Sequence, residues 1–221
     1  MPDSNNKFMS DIAGIRKEYT LESLDISTVL PNPVAQFERW FQEAVNAKVA
    51  EPNAMFLATV NETGRPSARI VLLKGIEDGQ FIFYTNHQSR KGQQLENNAA
   101  CALTFFWPDL ERQVRIEGVA SRVSSDAAER YFQSRPRASQ VGAWSSPQSA
   151  VIGSRTILEQ RVQEIEKRFE GKEALPKPAQ WGGYQVQPYQ MEFWQGRPSR
   201  LHDRIEYVLD GTQWKIHRLA P

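Results

Sequence analysis

The sequence has one cysteine, Cys101, among 221 residues. No disulfide can form within the chain, and a cysteine-based zinc site is all but excluded. A single thiol is compatible with a reducing, cytoplasmic setting. Neither sign of charge is in surplus, with 27 Lys plus Arg against 26 Asp plus Glu. General nucleic-acid binding draws on excess positive charge, so no nucleic-acid partner is expected and any anion site must be local. Runs of about 18 apolar residues are missing, so no membrane span is expected. The polar stretch 1–10 lacks the apolar core of a secretory signal. Also absent are a Gly-x-Gly-x-x-Gly turn, a phosphate loop ending in Gly-Lys-Ser/Thr, a His-Glu-x-x-His pair and a Gly-x-Ser-x-Gly elbow. His87, His202 and His217 lie far apart in sequence, and no metal site is expected.

The composition, 40% hydrophobic and 24% charged, supports a real core, and the length suits one sizeable domain. Residues 1–20 read as a polar arm ahead of a single domain at 21–221. Asn32-Pro33 is a helix start, since Asn can cap and Pro suits the first helical position. Phe37, Trp40, Phe41, Ala44 and Val45 then recur at helical spacing. Strand-like runs follow at 54–60, 67–74 and 80–85, punctuated by turns at 61–64 and 77–79. A short helix is expected at 89–97, then strands at 100–107 and 112–123. Ser125 can cap a helix reaching Gln133. A longer helix spans about 154–170, with Leu158, Val162, Ile165 and Phe169 on one face and Gly171 as its stop. Residues 172–183, with two prolines and a Gly pair, read as a loop. Strands at 190–195, 200–209 and 213–218 close the chain, the last two joined by an Asp210-Gly211 hairpin. Strands and helices never alternate regularly, which argues against a doubly wound parallel sheet. A mainly β, α+β fold is expected: a small antiparallel barrel with helices packed outside.

Four basic clusters stand out. If 200–204 is a strand, Arg200, His202 and Arg204 share a face, and an anionic or electron-rich ligand would relieve their repulsion. A solvated edge strand with carboxylates nearby fits the same residues. Arg69 and Lys74 bracket the apolar run Ile70-Val71-Leu72-Leu73; they fit a ligand at the strand's ends or an ordinary buried strand with charged tips. Ser89-Arg90-Lys91 opens a helix, where free N–H groups and two cations suit a phosphate, although a solvated turn suits them equally. Tyr131, Arg135, Arg137 and Ser139, just beyond a helix, could hold another phosphate. Gln113, Gln148 and Ser149 add neutral hydrogen-bonding groups. Trp194 could stack on a planar ring or sit in the core. The pattern points to a small phosphorylated ligand or cofactor and leaves the reaction open.

The runs RIVLLK (69–74), FYTN (83–86), SRK (89–91), ERQVRIEG (111–118), YFQSRPRASQVGAW (131–144), EFWQG (192–196), RLHDR (200–204) and RLAP (218–221), with the Gln148-Ser149 pair, resemble the pyridoxine/pyridoxamine 5′-phosphate oxidase family. The resemblance runs from about Arg16 to Pro221, in family order. It implies an FMN-binding split β-barrel and a homodimer with two FMN sites between the subunits. FMN would be held by Arg69, Ile70, Val71, Leu72, Leu73, Lys74, Tyr84, Thr85, Arg90, Lys91, Gln113, Gln148, Ser149, Trp194 and Arg204. The substrate phosphate would meet Lys74, Tyr131, Arg135 and Ser139. Arg200 and His202, the implied catalytic pair, would sit by the pyridine ring, and Arg16 and Tyr19 would belong to a lid. The implied reaction passes a hydride from substrate C4′ to flavin, which O2 reoxidises with release of hydrogen peroxide. A related split-barrel flavin reductase and a non-catalytic FMN or pyridoxal phosphate carrier are the alternatives.

Overall fold

The computed structural model describes Ile12 and residues 14–221. The part of the expected arm at 1–11 and 13 lies outside the described residues.

Among the described residues nine strands form one antiparallel sheet: β1 (Ala54–Val60), β2 (Pro66–Leu72), β3 (Gly75–Glu77), β4 (Gln80–Asn86), β5 (Ala100–Trp107), β6 (Arg112–Arg122), β7 (Trp181–Gln195), β8 (Asp203–Asp210) and β9 (Gln213–Leu219). The order is β2-β1-β5-β6-β7-β4-β3, with β8 also on β7 and β9 on β8. Helices inserted among the described residues 15–221 are α1 (Pro33–Asn46), α2 (Arg90–Asn97), α3 (Ser125–Ser134), α4 (Arg137–Ser145) and α5 (Arg155–Arg168). The sheet curls into a half-barrel, and the fold is α+β of the split-barrel kind.

Asn32 caps α1 as its sequence suggests, its Oδ1 accepting from the N–H groups of Val34 and Ala35. Phe37, Trp40 and Ala44 bury the helix's apolar stripe, Phe41 is half-buried, and Val45 has turned outward at 43% exposure. Each fully buried aromatic ring of this kind contributes about 1.5–3 kcal/mol. Phe37 packs on Phe81 and Phe105, and Trp40 on Phe193, which fixes α1 across the inner face of the sheet. A second, smaller core joins Phe132 of α3, Val141 of α4, Phe169, Leu175 and Trp181.

β7 is the spine. β6 pairs with it over 184–195, while its other edge is shared between β4 at 181–186 and β8 at 190–195. Pro188, which has no N–H to give, falls in the gap between those two partners. The loop expected at 172–183 holds over 172–180, and its last three residues, 181–183, are corrected to strand. The Gly182-Gly183 pair marks a close approach instead, for a Cβ at Gly182 would lie 2.4 Å from His87 Nε2 and one at Gly183 2.8 Å from the Tyr84 ring. Other corrections are local. Ser124, not Ser125, caps α3 through Ala127 N–H. α4 and the short β3 have no counterpart in the sequence reading. β8 begins at Asp203, because Ser199 (φ 57°) and Arg200 (φ 63°) are left-handed and turn the chain through a 3-10 segment, Pro198–Arg200. Arg200, His202 and Arg204 therefore do not share one strand face.

Candidate functional site

Two groups of side chains form at the two ends of β7. The first surrounds a cleft of about 430 Å³ that β2, β4, α2, α3 and α4 all border. Ser89 opens α2, its Oγ accepting from Gly92 N–H and donating to Asn86 O. That cap sets Lys91 against β4, buried, with its Nζ 3.3 Å from Thr85 Oγ1. Thr85 in turn donates to Gln148 Oε1, which also accepts from Asn86 N–H, so the loop after α4 is tied to β4.

Pro136 ends α3 and starts α4. Buried Gln140 holds the corner, donating to Phe132 O and Arg135 O and accepting from Leu175 N–H. Arg135 and Ser139 thereby face the cleft together with Lys74 and Tyr131. Tyr84 and Tyr131 stack at 3.9 Å, and Trp181 lies parallel to Tyr84 at 5.4 Å. Arg135 sits 4.7 Å over the Trp181 ring, a cation–π contact that orients the guanidinium. Its Nη1 is buried and has no protein partner.

The electrostatics of this end are one-sided. Among the described residues no carboxylate lies within ion-pair distance of Lys74, Arg90, Lys91 or Arg135. Burial, and then Arg69, holds the Lys91 ammonium below the usual lysine range. Burial likewise lowers Arg135, with Tyr131 opposing it. Burial raises both Tyr131 and Tyr84, keeping the phenols protonated. Uncompensated, partly buried cations with an orphaned N–H are what an anionic group would satisfy. The donor set fits a phosphate-bearing cofactor and a second phosphate.

Not every residue expected here reaches the cleft. Arg69 turns to its own strand pair, donating to Leu57 O, Thr59 Oγ1 and Ser67 Oγ. Leu73 is buried in the core, while Ile70, Val71 and Leu72 border the cleft. Arg90 and Ser149 border an adjoining recess of about 300 Å³, which shares Gln148 with the cleft.

The second group gathers where β7 ends. Gln113, Trp194 and Arg204 are direct cross-strand neighbours on β6, β7 and β8 and so share a face. The His202 ring lies 4.6 Å from Trp194, and Tyr19 meets both edge-on at 5.7 and 5.8 Å. Arg197 N–H donates to His202 Nδ1, which assigns the proton of the neutral ring to Nε2. Burial, then Arg200, lowers the His202 pKa and favours that neutral form. Arg204 is already engaged, bidentate to Glu192 at 2.8 and 3.0 Å and donating to Ala220 O. Arg200 and Arg16 are exposed. Trp181, Gln140, Glu192 and Arg197 escaped the sequence reading; their roles come from packing and backbone geometry, which leave no motif. No hydrogen bond among the described residues joins the two groups, and roughly 40 Å of strand separates Trp181 from Trp194 at about 3.3 Å per residue.

No group of three or more His, Cys, Asp or Glu among the described residues could hold a metal ion, and no helix there is long and apolar enough to cross a membrane. Residues 41–169 match the family model described as pyridoxamine 5′-phosphate oxidase, and 181–221 match the pyridoxine 5′-phosphate oxidase C-terminal dimerisation region. The pyridoxine/pyridoxamine 5′-phosphate oxidase of Burkholderia mallei (strain SAVP1) is 54% identical over 216 residues, covering 96% of this chain and 100% of that protein. That of Burkholderia thailandensis is 53% identical over the same span. Among solved structures, PhzG from Burkholderia lata 383, in complex with tetrahydrophenazine-1-carboxylic acid, is similar with a TM-score of 0.86 and 29% identity over 93% of this chain and 100% of that one. A pyridoxamine 5′-phosphate oxidase-related, FMN-binding protein from Nostoc punctiforme PCC 73102 shares the fold, with a TM-score of 0.67 and 19% identity over 86% and 98% of the two chains.

Proposed function

The chain belongs to the pyridoxamine 5′-phosphate oxidase family of oxidoreductases, and from that premise we propose that it oxidises pyridoxine and pyridoxamine 5′-phosphates to pyridoxal 5′-phosphate with FMN and O2, releasing hydrogen peroxide. The observation that carries the reading is the buried, unpartnered Nη1 of Arg135 beside Lys74, Tyr131 and Ser139. A buried guanidinium N–H with no protein partner is complementary to a ligand bearing a phosphate. Bound FMN would supply the two-electron acceptor for the substrate carbon that becomes the aldehyde.

The chain's own residues would do the binding and orientation. Lys91, Arg90 and the N–H groups at the start of α2 would hold the cofactor phosphate, with Thr85, Gln148 and Ser149 as neutral donors. Lys74, Tyr131, Arg135 and Ser139 would hold the substrate phosphate. Arg200 would stabilise charge near the ring, being reliably protonated. His202 would hold the oxygen or nitrogen substituent through Nε2–H or carry its proton. Arg16 and Tyr19 would help exclude water, with residues 1–20 acting as the arm and 21–221 as the domain.

Because the two groups sit at opposite ends of β7, a complete site needs both ends from different copies. A homodimer, joined through the 181–221 region, would supply them. A cytoplasmic location suits a chain with one free thiol.

The test is oxygen-dependent formation of pyridoxal 5′-phosphate from pyridoxine 5′-phosphate by purified protein, with and without added FMN. FMN-dependent product with peroxide supports the reading. Tight FMN binding with no product would replace it by a flavin reductase or a carrier.

A further inference from the structure

We infer that Glu111 is a positioning residue that latches the segment 17–21 and so seats Tyr19 against Trp194 and His202. The inference rests on the reading above, in which this end of β7 meets substrate.

Glu111 follows the 3-10 turn Pro108–Leu110 and precedes β6. It is 2% exposed, and a buried carboxylate is costly unless its oxygens are satisfied. Both oxygens turn to the same segment. Oε2 accepts from Thr20 N–H at 2.8 Å and from Leu21 N–H at 3.2 Å, and Oε1 lies 3.5 Å from Lys17 Nζ. Tyr19 sits between these anchors.

The backbone of the same residue holds the other side. Glu111 O accepts from Gly196 N–H at 2.7 Å and from Gln195 Nε2 at 3.3 Å. Gly196 is where the ring of Tyr19 rests: a Cβ there would stand 2.7 Å from Tyr19 Cγ and 3.0 Å from Glu111 Cβ. One residue thus ties the segment and the end of β7 to a common point.

The backbone angle argues for a side-chain role. At φ 55° Glu111 is left-handed, where glycine is the least strained residue. The turn alone would be served better by glycine; a glutamate is explained by what its carboxylate holds. A second clamp farther along is independent of it: Asp203 accepts from Leu24 N–H, and Arg218 bridges Leu24 O, Asp25 and Asp203. Losing Glu111 therefore frees 17–21 and leaves 24–25 anchored.

The experiment compares wild type, Glu111→Gly, Glu111→Gln, Tyr19→Ala and the Glu111→Gly/Tyr19→Ala double variant. Glu111→Gly relieves the backbone while removing the latch, so the FMN-loaded protein keeps its melting temperature and its FMN affinity. Its KM for pyridoxine 5′-phosphate rises about tenfold, the scale of one charge-assisted hydrogen bond, with kcat less affected. Trypsin cleaves after Lys17 faster than in wild type. Glu111→Gln, which keeps an acceptor oxygen, restores most of both readouts. In the Tyr19→Ala background, adding Glu111→Gly raises KM no further. A wild-type cleavage rate and KM in Glu111→Gly would overturn the latch, as would an equal KM increase with and without Tyr19. A faster cleavage in Glu111→Gly together with a wild-type KM in Tyr19→Ala would keep the latch and sink the substrate assignment of this end.

Discussion

Replacing Arg135 by Met separates phosphate recognition from folding. The side chain is half-buried over Trp181, and its Nη1 has no partner in the protein. A charge-assisted hydrogen bond to a ligand phosphate is worth about 1.5–3 kcal/mol. The variant should therefore lose roughly 10- to 150-fold in kcat/KM for pyridoxine 5′-phosphate. Unphosphorylated pyridoxine makes no such bond, so its kcat/KM should change little. Folding should respond differently. Met keeps contact with Trp181 and loses a cation–π term of about 0.5–1 kcal/mol. Removing a guanidinium that burial already disfavours works in the opposite direction. The melting temperature should then move by no more than about 2–4 °C in a chain of this length. The assay is peroxide release with both substrates, alongside thermal unfolding of the same preparations. An equal loss with phosphorylated and unphosphorylated substrate would refute the reasoning, because the effect would not depend on the phosphate.

Lys91 gives a pH signature: burial lowers its pKa in the ligand-free fold, so between that lowered value and 10.5 the unfolded chain carries more protons and stability rises with pH. Denaturant melts of ligand-free wild type should show this rise just below pH 10.5, and Lys91→Met should abolish it. Thr59 is fully buried, accepting from Arg69 and donating to Gln94 Oε1 at 2.6 Å. Thr59→Val should cost about 1–3 kcal/mol in urea unfolding, by removing the hydroxyl that accepts from the part-buried Arg69 and donates to Gln94. Burial pushes the Cys101 thiol up to about 12, so iodoacetamide at pH 8 should label it slowly in native protein and rapidly in urea.

The sequence reading located most of the sheet because its strands alternate and its turns carry strong signals. Asp210-Gly211 is the clearest: Gly211 takes φ 61° and β8 pairs β9 up to Asp210 and Gln213. It failed where tertiary contact overrides local preference. Gly182 and Gly183 read as loop residues, yet the rings of His87 and Tyr84 crowd them so closely that a side chain there would clash. Arg200 opens the strand expected at 200–209, and local pattern cannot foresee two left-handed residues in succession. The cations and Trp194 fall in runs legible as motifs, and the structure gathers them in the two groups at the ends of β7. The supporting residues were illegible for a physical reason: Trp181, Gln140 and Glu111 act through burial and through bonds to backbone groups distant in sequence. A hydrogen bond spanning about ninety positions leaves no local pattern.

The length of β7 also bears on how defects combine. Damage at Arg135 touches one end of the strand and damage at His202 the other, so each chain keeps one sound half. In a two-copy assembly of the kind proposed, homogeneous pairs of either defective chain would be silent. A mixed pair would contain one site assembled from the two sound halves, and random pairing would restore about a quarter of the sites. In a genetic cross the two ends of a single strand would behave as separate complementing units within one gene.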